Sequence, residues 1–98
     1  MILVRDIFYL KFGKAKEAKT VLNEGRNMFD KLGFSRPKAM TDLTGHSYTL
    51  VMETEWKSLG DMESTLQKSF GDKDWQNWYQ KFVPLVDSGS REIYTLLD

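Results

Sequence analysis

From Ile2 to Phe12 the apolar side chains alternate: Ile2, Val4, Phe8, Leu10 and Phe12 fall on one face, while Leu3, Ile7 and Tyr9 share the other with Arg5 and Lys11. A period of two predicts a strand, and apolar groups on both faces place it centrally in a sheet. Gly13 ends the run. Ala15, Ala18, Leu22, Gly25, Phe29 and Leu32 then recur at steps of three and four, one face of an amphipathic helix. That helix is expected to stop at Gly33, with Phe34 folding back on its last turn. The segment SRPKAMTDLTG, 35–45, reads as an edge strand, because Pro37 has no donor for a central ladder. Gly45 turns the chain into the clearest alternation of all. His46, Tyr48, Leu50, Met52 and Trp56 lie on one face, and Ser47, Thr49, Val51, Glu53 and Glu55 on the other.

Ser58 with Asp61 resembles a capping box, and Leu59, Met62, Leu66 and Phe70 follow at helical spacing. Residues 71–74 break this helix before Trp75, Trp78, Tyr79 and Phe82 resume it, and Pro84 ends it. SGSREIYTLL then supplies a turn and a last strand. The order strand, helix, strand, strand, helix, strand, with right-handed crossovers, predicts one α+β domain over 1–98. It is a ferredoxin-like fold: an antiparallel sheet in spatial order 4-1-3-2, helices on one face. Setting 2–12 antiparallel beside 46–56 puts Ile2 near Trp56 and Asp6 opposite Met52.

Helices cover only one side of such a sheet. The other would expose Leu3, Ile7, Tyr9 and Val51, together with either Ile93 and Leu97 or Tyr94 and Leu96, and apolar area of that kind marks an interface. The expected partner is a second copy, packed sheet to sheet about a two-fold axis. A chain of 98 residues buries only about 60–65% of its unfolded surface, which makes self-association attractive.

Composition removes several function classes. The 14 basic and 14 acidic side chains cancel, so no long-range field draws the chain to nucleic acid or an anionic membrane. HSYTLVME also lacks the aromatic pattern of an RNA-recognition strand. Without cysteine there is no disulfide or thiolate chemistry, and one histidine makes no multi-histidine metal site within a chain. Asp72, Asp74 and Asn77 have brief calcium-loop spacing but no glycine at the sixth position. No cofactor or metal is expected. The apolar start MILV is too short for a signal core or a membrane span, and a cytoplasmic location is expected.

Two stretches carry a family resemblance. LKFGK, 10–14, resembles the LKPGK strand-end turn of NIPSNAP-like and monooxygenase-like proteins, with Phe12 where proline is usual. WQNWYQKFVPLVDSGSREIY, 75–94, is similar to their aromatic helix, Pro-containing turn and final strand. This places the chain beside the dimeric α/β-barrel superfamily, which includes antibiotic-biosynthesis monooxygenases, NIPSNAP-type domains, stress-responsive barrel proteins and muconolactone isomerases. The resemblance implies fold and dimerisation more strongly than activity. It also implies a cavity between sheet and helices, lined here by Phe8, Tyr48, Leu50, Met52, Trp75, Trp78 and Tyr79. The Asn, Trp, His set of haem-degrading relatives is not matched: the histidine stands on the third strand, and the first strand offers Asp6.

His46 is the only side chain that ordinarily titrates near neutrality, hence the default acid or base, although a strand-end histidine bonded to a loop is the plainer explanation. Asp6 is a natural partner for it by type, but the register sets them six residues, or roughly 20 Å, apart. Asp6 therefore either turns outward at a bulge or stays as a buried, hydrogen-bonded carboxyl. Tyr48 and Arg91 complete the polar candidates. The aromatic stripe serves equally as core. Lys11, Lys14, Lys16 and Lys19 read as a solvated face unless an anion sits beside them. The expected function is binding of a small apolar or aromatic metabolite by a homodimer. Cofactor-independent oxygenation or isomerisation using His46 or Tyr48, and dimerisation alone, stand as alternatives.

Overall fold

A computed structural model of the chain describes all 98 residues. The elements are β1 (Ile2–Leu10), α1 (Ala15–Leu32), β2 (Lys38–Thr41), β3 (Thr49–Trp56), α2 (Leu59–Phe70), α3 (Lys73–Phe82) and β4 (Val86–Thr95), with a 3-10 turn at Val83–Leu85. The four strands form one antiparallel sheet in the order β2-β3-β1-β4, the expected 4-1-3-2 in reverse. The α+β ferredoxin-like architecture holds, with three helices. None is long and apolar enough to cross a membrane.

The helix ends follow from local chemistry. Gly33 adopts φ 89°, and the Phe34 N–H donates to the Phe29 carbonyl at 3.0 Å, closing α1. The Phe34 ring then meets Phe29 edge-on at 5.3 Å. Ser58 Oγ accepts the Asp61 N–H at 3.2 Å to start α2, and Asp72 Oδ1 accepts the Trp75 N–H at 3.0 Å to start α3. This second cap is why the helical pattern breaks at Gly71 and Asp72.

The register is as expected: Ile2 pairs with Trp56, Asp6 with Met52 and Tyr9 with Thr49. The strands are shorter than the alternation suggests. β1 ends at Leu10, and β3 begins at Thr49, so His46, Ser47 and Tyr48 belong to a turn. Asp42 makes that turn, since its Oδ1 accepts the Thr49 N–H at 3.0 Å, while Thr49 Oγ1 donates to the His46 carbonyl at 2.7 Å. Tyr48 itself sits at φ 62°, which ends the extended run.

Val4, Phe8 and Leu10 point to the helices. Leu10, Ala18, Leu50, Trp78, Phe82 and Leu85 form the buried cluster. The Trp78 indole lies against Gly25, donating to the Val21 carbonyl at 2.7 Å, and a Cβ at residue 25 would fall 2.5 Å from Trp78 Nε1. Glycine is the residue that lets α3 approach α1 this closely.

The opposite face of the sheet carries Leu3, Ile7, Tyr9 and Val51, and the pairing of Leu3 with Tyr94 assigns Tyr94 to it rather than Ile93. Across the middle runs a row of alternating sign. Lys38, Glu53, Arg5 and Glu92 are in register on the four strands. Arg5 Nε donates to Glu53 at 2.9 Å, Nη1 reaches Glu92 at 3.5 Å, and the guanidinium lies 5.4 Å from the Tyr94 ring centroid. The hydrogen bond to Glu53 raises the Arg5 pKa. The Tyr94 hydroxyl donates to Glu92 at 3.0 Å, which raises its pKa above the ordinary 10.0.

Three outcomes are expected. Gly25→Ala will destabilise the domain by about 1–3 kcal/mol in denaturant unfolding through overpacking against Trp78. Gly60→Ala, in the first turn of α2, where a Cβ would meet only the Ser58 hydroxyl at an unstrained 3.7 Å, will instead stabilise by roughly 0.5 kcal/mol. The Tyr94 phenol, isolated as an ultraviolet difference from Tyr94→Phe, will ionise above 10.0, and Glu92→Gln will bring it down. A proton held more tightly in the folded state means that this stabilisation is complete below pH 10 and is lost as pH rises through the folded value.

Candidate functional site

One flank of α1 faces the edge half of the sheet across a gap. Ala15, Ala18, Leu22 and Phe29 form its apolar helical wall, and Leu50, Met52, Ala39 and Pro37 the sheet side. The cleft holds about 430 Å3, within the usual range for small-molecule sites. It is open for local reasons. β2 has only four residues, all exposed, and the apolar side chains that line the cleft from the first turn of α1, Ala15 and Ala18, are small.

Phe29, Pro37 and Met52 also line a deeper compartment of about 70 Å3, so the two share a wall. Its walls are mainly apolar, with Val4, Trp56, Met62 and Leu66 around one ion pair. Arg91 Nε donates to Asp6 Oδ1 at 2.7 Å, the two residues being paired across β1 and β4. The Asp6 side chain is 20% exposed. An acidic residue is tolerated on the helix-facing side because the neighbouring strand brings a guanidinium to it. No bulge turns it outward.

The rim is polar. Lys19, Asn23, Arg26 and Asp30 follow one another along α1, beside its apolar stripe, and Arg36 reaches in from the opposite wall. None of these charged groups takes part in an ion pair within the chain.

The structure divides the residues singled out from sequence. Asp6, Met52 and Arg91 come together in the deep compartment, and Leu50 with Met52 forms the sheet side of the main cleft. Phe8 packs edge-on against Phe82 at 5.1 Å in the core, and Trp78 is buried. Trp75 and Tyr79 stack on each other at 4.7 Å on α3, outside the cleft, with Tyr79 45% exposed. Tyr48 meets Phe12 at 4.6 Å beside the β1–α1 turn. His46 rests against Tyr9 at 4.5 Å, on the other face of the sheet from Asp6, in a shallow hollow shared with Asp42, Thr49 and Val51. The two therefore form no dyad. No group of histidine, aspartate and glutamate side chains is arranged to hold a metal ion.

Sequence reasoning missed Phe29 as a cleft wall, and it missed the charged rim. The rim had a signal: positions 19, 23, 26 and 30 keep helical spacing next to the apolar stripe.

Comparisons with solved structures match this geometry over nearly the whole chain. A NIPSNAP family protein from Agrobacterium tumefaciens superposes with a TM-score of 0.91 at 21% identity, over 99% of this chain and 86% of the other. A NIPSNAP domain protein from Burkholderia xenovorans gives 0.90 at 15% identity, over 99% and 95%. SnoaB, a cofactor-independent oxygenase from Streptomyces nogalater, gives 0.74 at 13% identity, over 99% and 93%, which relates the fold to such oxygenases. No curated protein matches the chain. The NIPSNAP family model matches residues 6–98, from the aspartate of the deep ion pair to the end of the sequence, and the chain belongs to the NIPSNAP family.

Proposed function

We propose that this chain is a small-molecule-binding domain that acts as a homodimer, holding an apolar or aromatic metabolite in the cleft between α1 and the sheet. The observation that carries the proposal is the cleft itself. A domain whose aromatics served only to fill a core would not keep about 430 Å3 open between apolar walls. Its purpose as a dimerisation unit alone is thereby disfavoured.

Self-association is supported by the uncovered sheet face. Leu3, Ile7, Tyr9 and Val51 stand there around the charged row, and Tyr94 joins them at 45% exposure. Lys38, Glu53, Arg5 and Glu92 alternate in sign, so turning a second copy about an axis along the strands sets each charge against its opposite. The face is thus self-complementary in both its apolar and its charged parts. Neither nucleic acid nor membrane has a part in the proposal, nor does a cofactor. We place the protein in the cytoplasm because a cysteine-free chain takes nothing from an oxidising compartment.

The catalytic alternative, with His46 or Tyr48 handling a proton, draws no observation from the cleft. His46 is on the far side of the sheet, and the one carboxylate in the deep compartment is already engaged by Arg91.

Native mass spectrometry of the freshly purified protein tests both parts. A species at about twice 11.4 kDa is expected, carrying additional non-covalent mass. Ile7→Lys with Val51→Glu, which pair across β1 and β3 and so keep the sheet intact, will return a folded monomer. A wild-type monomer overturns the dimer. Ala39→Trp, which fills the cleft from the edge strand, will remove the extra mass, whereas His46→Ala will leave it. Mass retained in Ala39→Trp would move the ligand elsewhere.

A further inference from the structure

We infer that the cleft selects amphiphilic anions: a ligand with an apolar body and a single anionic head, the head held at the rim by Lys19, Arg26 and Arg36. This rests on the proposed ligand cleft and adds the chemistry of its occupant.

The charge distribution carries the argument. The whole chain balances 14 basic against 14 acidic side chains, yet the cleft is lined by three cations and, apart from the paired Asp6 of its deep end, one carboxylate, Asp30. Four cations of the chain are paired within it: Arg5 bridges two glutamates, Lys14 meets Glu17, Lys81 meets Glu24 and Arg91 meets Asp6. Lys19, Arg26 and Arg36 have no such partner, and they line one cleft from two segments of the chain. Lys19 and Arg26 stand seven residues apart on one side of α1, while Arg36 comes from the segment that leads into β2. Cations lining an apolar cleft favour an anionic group there, and a guanidinium binds a carboxylate or phosphate through two parallel N–H bonds.

The same accounting orients the ligand. The only cation of the deep compartment, Arg91, is neutralised by Asp6 at 2.7 Å, so it offers little to a second anion. Beyond the rim the walls are Leu22, Phe29, Leu50 and Met52, which solvate a hydrocarbon or aromatic body and nothing charged. The head therefore stays at the mouth, and the body lies along these apolar walls.

The test uses three probes of one chain length, each below its micelle concentration, on the 15N-labelled full chain: decanoate, decanol and decyltrimethylammonium. Decanoate is expected to shift the amide signals of Ala18, Leu22, Leu50 and Met52, and to bind at least about tenfold more tightly than decanol, the scale of one charge-assisted hydrogen bond. The exposed double substitution Arg26→Gln, Arg36→Gln should abolish that margin and leave the decanol affinity unchanged. Circular dichroism of the variant checks its fold. Added salt should weaken decanoate alone. Equal binding of decanoate and decanol overturns the anionic-head inference but keeps the cleft as a ligand site, and so does tighter binding of the ammonium. Failure of all three, or shifts confined to other residues, removes the cleft reading as well.

Discussion

The contact between Trp78 and Gly25 is the constraint on which the helical layer depends. The Val21 carbonyl serves the helical N–H four residues on, by ordinary α-helix geometry, and its second lone pair takes the Trp78 indole N–H at 2.7 Å. A buried indole donor is thus satisfied without any side-chain partner. The arrangement needs bare backbone on α1, which Gly25 supplies. Once α1 is drawn against α3 on that flank, its opposite flank faces a four-residue edge strand, with Ala15 and Ala18 as its only apolar side chains there in the first turn. Close packing on one side of the helix and a gap on the other come from the same placement.

The sheet works in two directions. β3 sends Leu50 and Met52 to the cleft and Thr49, Val51 and Glu53 to the uncovered face, because successive side chains point oppositely. A one-residue slip would exchange these roles entirely. Several pairs oppose such a slip. Arg5 lies in register with both Glu53 and Glu92, and Asp6 with Arg91, so sliding either neighbour past β1 would separate opposite charges and bring apolar groups beside them. The ion pairs are partly exposed and individually weak. Their use here is to specify register.

The sequence was most legible where one residue type has one local use. Gly33, Ser58 and Pro84 marked helix ends, and alternation in 2–10 and 49–56 gave both strands and their pairing. It was least legible where a pattern continued past its cause. His46 and Tyr48 extend the alternation of β3 on paper, yet Asp42 closes the turn through Thr49, and Tyr48 takes a left-handed backbone that its residue type does not announce. The aromatic helix shows the same limit: Trp75, Trp78 and Tyr79 share one stripe, but only Trp78 meets a glycine on a neighbouring helix. Asp6 stayed open between an outward bulge and a hydrogen-bonded carboxyl, because its partner depended on the register of a strand 85 residues away. The cleft lay beyond local patterns altogether, since an empty volume is a property of how elements stand apart.

Identities of 13–21% with structures of TM-score 0.74–0.91 mean that backbone shape persists while most side chains change. What is shared among such proteins is therefore the fold, and the side chains that line a gap in it belong to each chain. In this chain the lining has a polarity of its own. The deep end is apolar, with one internally neutralised pair, and the mouth bears cations that nothing within the chain neutralises. A site of that form gains little from a uniformly apolar molecule, which would strip water from the rim groups without replacing it, and gains most from one that changes character along its length. Selection by such a site resides in the gradient from rim to floor, so substitutions that flatten the gradient would alter which molecule is held while leaving the fold untouched.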